Sequence, residues 1–600
     1  MSKLNYKKMI FYSAVLFSLL FAYYFLTSNG LGNKPFYLQL RRFIPMSIIC
    51  VLTTYTILTV VRKSFFISFA ITSLLWLLVY PIAYKVTFAA TMPFFSHHFD
   101  IVFACYSFVG LTSISVLALH FNLNKPWKII LSILQLPLII LPILEIVYYL
   151  YYGNCITEAA ILSIYQTNPE EAKEFLLQNA GYWGIIIAVV SIMICLALLY
   201  KTNNKNLHLI PQASLSKKQL IFLSLTAIAA TIYSFTNTLP KTGIMQLNTD
   251  VHDYFIAINK FNEEHKTTLQ NLQIELPAKQ LTKPNTIIVV IGESASRTYM
   301  SAYDNTYTDK DTTPWLRQQK SNPDFIVFKN AYTSRVNTVM ALERALTEKN
   351  QYNSMEFRQS ATIIDIAKKA GYYTSWYSNQ GTTDVADTPI TVVGKTADTA
   401  KWTNQNLSTI RYDGTLLNYL KEVDPSKNNF IVLHFMGSHD NYQNRYPVEF
   451  AKWGDPSKNE PVLNYYNSLY YSDYLLSQIY KYAKENLNLQ AMIYFSDHGA
   501  EPTKKRNPDV NSLVANRIPL FVYLSPEYQA IYPQTSTALK QNEAKYFTND
   551  LIYDMICGIL NIKSNRYDET QSIASDKYKF TRETLKTNLG TTPLTEDEEN

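Results

Sequence analysis

The chain has 600 residues, of which 48% are hydrophobic and only 17% charged, with a formal net charge of +7. That charge is unevenly placed: residues 1–240 hold 16 basic and 6 acidic side chains, and the other 360 residues hold 38 and 41. An aromatic content of 14% excludes disorder over most of the chain, and five cysteines exclude a disulfide scaffold. The split in polarity excludes a string of soluble domains and leaves an apolar, membrane-like half followed by a water-soluble half.

A bilayer core of roughly 30 Å needs about 20 apolar residues as a helix. Seven runs qualify: 9–26, 44–61, 65–84, 101–120, 129–150, 183–200 and 219–236. The first reads as a span and not as a cleaved leader, because Thr27-Ser28-Asn29 offers no small-x-small site. With a cytoplasmic N-terminus, the inner side carries 11 Lys and Arg, among them Arg62, Lys63, Lys125 and Lys128, and the outer side carries 5. This obeys the positive-inside rule. The basic surplus is therefore an orientation signal and not a nucleic-acid surface. Seven spans put everything after residue 236 outside the cytoplasm.

One outer loop, 154–181, reads as one or two amphipathic helices at the membrane surface, with Thr167-Asn168-Pro169-Glu170 as a capping box. Ser163, Thr167 and Glu171 are spaced four apart, and on a continuous helix they share a face. That face is either solvated or shaped for a lipid headgroup. Residues 237–283 read as a linker containing a charged helix over 250–273, broken by Leu276-Pro277 and Lys283-Pro284.

From residue 284 to 586, short β-branched runs alternate with helical patterns, which predicts an α/β domain with a largely parallel sheet. Strands are expected at 286–291, 325–328, 372–377, 429–435, 491–495 and 518–524, and helices at 338–348, 361–370, 464–485 and 546–560. The polar, acidic residues 587–600 read as a disordered tail.

The residues that follow three of these strands carry the chemistry. The first strand ends in Gly292-Glu293-Ser294, a second in Met436-Gly437-Ser438-His439, and a third in Ser496-Asp497-His498-Gly499. Ligands of open α/β sheets bind at the carboxyl ends of strands. A carboxylate and an Asp-His pair delivered to one edge suit a divalent metal, with zinc favoured by the mixed N and O donors. Thr338 precedes a predicted helix, where backbone donors face an anion. It is either an ordinary N-cap or a nucleophile whose hydroxyl a metal activates.

The segments Val290-Ile291-Gly292-Glu293-Ser294-Ala295-Ser296-Arg297, Thr312-Thr313-Pro314-Trp315-Leu316 and Ala331-Tyr332-Thr333-Ser334-Arg335-Val336-Asn337-Thr338 resemble motifs of the membrane phosphoethanolamine transferases. So do Trp376-Tyr377-Ser378-Asn379-Gln380, Leu433–His439 with Arg445-Tyr446-Pro447, Phe495–Gly499, and Gln166–Ala172 in the membrane half. The resemblance is collinear over most of the chain. It implies a polytopic helical domain in a bacterial inner membrane joined to a periplasmic α/β domain of the alkaline phosphatase type. It implies a zinc held by Glu293, Thr338, Asp497 and His498, with Thr338 as nucleophile. His439, Asn379, Ser163, Thr167 and Glu171 become substrate-binding residues. The implied reaction moves phosphoethanolamine from phosphatidylethanolamine, through Thr338, to an envelope acceptor: lipid A, lipooligosaccharide core or another glycan.

Two features depart from the lipid A-modifying members. The soluble half has one cysteine and so no internal disulfide, and residues 499–520 contain no His. The acceptor stays open on that pattern. The rivals are a glycerol phosphate transferase of the lipoteichoic acid synthase type and a membrane sensor with a degenerate enzyme domain. A sulfatase is disfavoured, since no Cys/Ser-x-Pro-x-Arg segment exists.

Overall fold

A computed structural model of the chain describes residues 6–28, 37–88, 98–167, 169–303, 308–380, 388–403, 412–455, 458, 460–504 and 512–598. By internal packing the chain divides into two units, Met1–Ile161 with Asn179–His252, and Leu162–Gln178 with Asp253–Asn600.

The first unit holds seven helices long and apolar enough to cross a membrane: Tyr6–Thr27, Leu40–Ile57, Lys63–Thr87, His98–His120, Asn124–Tyr152, Gly181–Asn206 and Lys217–Lys241. Each contains most of one predicted run. His98–His120 is the central one, buried over most of its length. It lies close against the last span, where a Cβ on Gly110 would stand 2.8 Å from Thr231 Oγ1. Small residues allow such approaches where lipid gives helices no hydrophobic reason to associate. Some polar side chains inside the bundle find partners. Asn203 Nδ2 donates to Ser132 Oγ and Gln135 Oε1, both at 3.0 Å, and Trp76 Nε1 donates to the Leu138 carbonyl at 2.8 Å.

The second unit is built on a seven-stranded sheet. Its strands in chain order are β1 Thr286–Gly292, β2 Phe325–Val327, β3 Tyr373–Ser378, β4 Thr399–Trp402, β5 Asn429–His434, β6 Leu489–Ser496 and β7 Leu520–Leu524. Their spatial order is β2-β7-β6-β1-β5-β3-β4, and only β7 runs against the rest. The central strand is buried on both faces. Ile287, Val289 and Ile291 enter one core layer, and Ile288 and Val290 enter the other. Burial on both sides is why these strands read as unbroken β-branched runs and not as alternating ones. Cys557, in the Ile552–Ile559 helix, is fully buried in the first of these layers.

Three predicted elements differ. The run expected as one helix over 546–560 begins as a strand, Tyr546–Thr548, paired in parallel with Asn330–Tyr332, and the helix occupies Ile552–Ile559 only. Tyr, Phe and Thr favour the extended backbone once a partner strand is offered. The edge strand β4, half-buried along its length, went unpredicted. The polar tail is not disordered over its described part. Lys586–Thr587 pairs with Thr592–Pro593, Leu594 is fully buried, and Asp597 is 2% exposed. Asp597 forms an ion pair with Arg517 and accepts from Tyr332 Oη at 2.9 Å, while Arg297 lies over the Tyr332 ring at 4.6 Å. The tail's acidity thus neutralises a cation that the core has already buried.

Removing one partner of a buried ion pair leaves the other charge uncompensated, at a cost of about 3–5 kcal/mol. Asp597→Ala is therefore expected to destabilise the second unit by that order, read from denaturant unfolding of the full chain in detergent. A disordered tail would give no change.

Candidate active site

Strand register builds the site. Ile291 of β1 lies level with His434 of β5 and Phe495 of β6, and Gly292 lies level with Ser496. The residues that leave the sheet next are Glu293, Phe435 and Asp497, all from one edge. The turn after β1 is tight. Ser294 has a left-handed φ of 57°, a conformation that is sparse for a residue with a Cβ and that commonly marks functional sites. It is held by a bond from Ser294 N–H to Asp497 Oδ1 at 2.9 Å and from Tyr465 Oη to the Ser294 carbonyl at 2.8 Å. Gly437, at φ 51°, brings the next loop onto this turn, where a Cβ would stand 2.7 Å from the Glu293 carbonyl oxygen.

Glu293, Asp497 and His498 converge so closely that one ligand atom from each lies within 4.8 Å of the others. All three are buried, at 0%, 0% and 1% exposure. His498 Nε2 is 3.6 Å from Glu293 Oε1 and 3.3 Å from Asp497 Oδ2. The other ring nitrogen, Nδ1, lies 2.8 Å from the Gly499 carbonyl, and a carbonyl can only accept. Nδ1 therefore carries a proton, and Nε2 faces two carboxylates and the Thr338 hydroxyl. Asp497 Oδ2 has no hydrogen-bond donor among the described residues. Burial, and then the neighbouring Glu293 carboxylate, push the Asp497 carboxyl well above its ordinary range. Lone pairs crowded together out of water need a cation between them. The donor set fits a divalent metal ion.

Thr338 stands beside this cluster. Its Oγ1 donates to Glu293 Oε2 at 3.1 Å and lies 3.3 Å from His498 Nε2. It opens the Thr338–Ala345 helix, but it is not the cap. Asn337 fills that role, its Oδ1 accepting from Met340 N–H at 3.0 Å. The division of labour leaves the threonine hydroxyl unspent and half-buried at the metal-binding edge.

The remaining predicted residues divide. His439 lies on the loop after β5, whose Ser438 N–H donates to the Glu293 carbonyl at 2.8 Å. Asn379 is fully buried, and its Nδ2 donates to Asp413 Oδ1 at 2.8 Å. Asp413 in turn accepts the N–H groups of Met436 and Gly437 at 2.7 and 2.8 Å. Asn379 thus supports the loop that carries His439, two contacts removed. Its neighbour Gln380, unnoticed in the sequence, is the side chain that reaches the cluster, donating to Glu293 Oε2 at 3.1 Å and to the Phe435 carbonyl at 2.8 Å. His434, beneath, lies 3.2 Å from Ser378 Oγ, and burial pushes its pKa down to about 4, so it is neutral.

Of the one or two helices expected over 154–181 there are two, Glu158–Gln166 and Pro169–Asn179, so Ser163, Thr167 and Glu171 do not lie on one continuous helix. The break falls between Gln166 and Pro169, and the Thr167 hydroxyl bonds back to the Ser163 carbonyl. Ser163 and Thr167 remain adjacent. The side chain of Glu171, Asn168 and the capping box fall outside the described residues.

Groups that orient a metal ligand commonly matter by about 10–100-fold in metal affinity. Gln380→Ala is expected to weaken metal binding by that order in a chelator competition. Asn379→Ala, acting on Asp413, is expected to leave metal affinity unchanged.

Residues 285–556 match the sulfatase family model. The chain is 28% identical over 500 residues to the phosphoethanolamine transferase EptC of Escherichia coli O18:K1:H7 (strain RS218 / NMEC), covering 77% of this chain and 85% of that protein. It is 27% identical over 485 residues to the phosphoethanolamine transferase CptA of Salmonella typhimurium, covering 72% and 80%. Its fold is similar to that of the integral membrane protein lipooligosaccharide phosphoethanolamine transferase A (EptA) of Neisseria meningitidis, with a TM-score of 0.54 at 17% identity over 88% of this chain and 97% of that one. With seven membrane-length helices among the described residues and a domain that matches the sulfatase model, the chain is similar over about three quarters of its length to phosphoethanolamine transferases.

Proposed function

We propose that this protein transfers phosphoethanolamine from phosphatidylethanolamine to a glycolipid or glycan acceptor of the bacterial cell envelope, with its catalytic unit in the periplasm. The observation that carries this reading is the uncapped Thr338 hydroxyl, 3.1 Å from Glu293 and 3.3 Å from His498 at a three-residue metal-binding cluster. The relatives named phosphoethanolamine transferases supply the group transferred, and the loop charges supply the orientation.

The metal is read as zinc, held by Glu293, Asp497 and His498 with Thr338 alongside, because the donors mix imidazole nitrogen with carboxylate and hydroxyl oxygen. When bound, zinc lowers the pKa of a hydroxyl beside it and neutralises charge on a phosphoryl group. The protein's own residues do the rest. Thr338 Oγ1 attacks the phosphorus of the donor, and its proton passes to Glu293 Oε2, the acceptor to which it already donates. The bond from phosphorus to the glycerol oxygen breaks, and diacylglycerol leaves, its oxygen protonated by solvent. Thr338 then carries phosphoethanolamine as a phosphodiester. An acceptor hydroxyl attacks the same phosphorus and gives up its proton to solvent, the bond to Thr338 breaks, and Glu293 returns its proton to Thr338 Oγ1. An unassisted threonine is a poor nucleophile near neutral pH. His439 is read as a contact for the transferred group, and Ser163 and Thr167 as contacts for the lipid headgroup.

Incubation of the purified protein with phosphatidylethanolamine is expected to release diacylglycerol and add phosphoethanolamine to Thr338, seen by intact and peptide mass spectrometry. Thr338→Ala is expected to form no adduct while keeping its fold, and Thr338→Ser to keep part of the turnover. A glycerol phosphate adduct formed from phosphatidylglycerol would assign the chain to the lipoteichoic acid synthase type. An adduct on Ser294, Ser296 or Thr333, with Thr338→Ala still active, would overturn the nucleophile.

A further inference from the structure

The helix Pro169–Asn179 lies, in sequence, between two membrane-length helices, yet residues Leu162–Gln178 pack as part of the catalytic unit. An ion pair ties them there. Glu174 Oε2 accepts from Arg445 Nη2 at 2.8 Å and from Asn441 Nδ2 at 3.3 Å. Arg445 also donates to the backbone of the site loop. Its Nε lies 3.2 Å from the His439 carbonyl and 3.1 Å from the Asp440 carbonyl, and its Nη2 donates to the latter at 2.7 Å. The Arg445 side chain is 8% exposed and that of Glu174 33%.

The near end of this loop is fixed by Asp413, which takes the N–H groups of Met436 and Gly437, and by the bond from Ser438 to Glu293. The far end is gripped by Arg445. Between them sits His439, whose buried Nδ1 has no hydrogen-bond partner among the described residues. That side of the ring takes no orientation from a side-chain partner, so its position depends on where the backbone is held. A guanidinium presents several N–H donors in a rigid fork and can serve two carbonyls and a carboxylate together, which an ammonium cannot do in the same geometry. Its buried charge needs its counter-ion in place.

We propose that Glu174 and Arg445 form a latch that positions His439 for phosphoryl transfer, making the segment that carries Ser163 and Thr167 and the loop that carries His439 one mechanical piece. The latch rests on the reading of His439 as a contact for the transferred group. Both latch residues are positioning residues, since neither touches the metal-binding cluster. Donor lipid seated on residues 162–178 would then be presented to Thr338 only while the loop is set.

The test uses the full chain in detergent. Small misplacements away from the chemistry can cost about 100-fold in rate. Glu174→Gln is expected to lower kcat by about 10- to 100-fold, with KM for phosphatidylethanolamine and bound zinc unchanged. In a His439→Ala background the same substitution is expected to add nothing, because the group it positions is gone. Hydrogen exchange over residues 436–446 is expected to rise in Glu174→Gln and in Arg445→Lys, and to stay unchanged over 489–498. A full further loss from Glu174→Gln in the His439→Ala background, or unchanged exchange over 436–446, would overturn the latch. Should the wild-type protein transfer nothing from phosphatidylethanolamine, the reading of the donor fails, and the exchange measurement alone then decides the latch.

Discussion

Two buried carboxylates facing one another make an arrangement that is repulsive by itself. Glu293, Asp497 and His498 are nevertheless almost wholly excluded from solvent, so the surrounding structure must force them together. It does so with backbone. The turn at Ser294 is clasped to Asp497, the Asp497 carbonyl accepts from Thr333 Oγ1 and Asn549 Nδ2 at 2.6 and 2.7 Å, and the parallel register of β1, β5 and β6 delivers all three loops to one level. A site of this kind is pre-organised. The repulsion is met by folding, and a cation relieves it.

The Thr338 hydroxyl is set by the same economy. A threonine at a helix start would ordinarily use its hydroxyl to satisfy a backbone N–H. Asn337 takes that bond one residue earlier, and the hydroxyl turns to Glu293 and His498 instead. Shifting the cap by one residue converts a structural side chain into a chemical one.

What could be read from the sequence follows from what is local. The central strands were legible because burial on both faces makes them β-branched throughout. The convergence of Glu293, Asp497 and His498 was legible because they stand next to those strands in the chain. The roles of Asn379 and Gln380 were not, since neighbours on one loop point to opposite sides and only the packing of Asp413 decides which is spent inside. The tail misled by composition: its charge suggested solvent, but Arg517, 80 residues earlier, was waiting for it. The pairing of Glu174 with Arg445 spans 271 residues and carries no periodic signal at all.

The long reach of the site also bears on how the chain matures. Glu293 comes early in the soluble half, whereas the bond that clasps Ser294 to Asp497 closes a separation of 203 residues. Contacts so distant in sequence form late, after the loop entropy between them has been met. A partly emerged chain offers a single carboxylate to passing metal, which binds it weakly. Only when β6 has docked against β1 does the full set of ligands exist. On the proposed function, metal uptake is thereby tied to completion of the sheet, and an unfinished molecule would have neither the ion nor the hydroxyl set beside it.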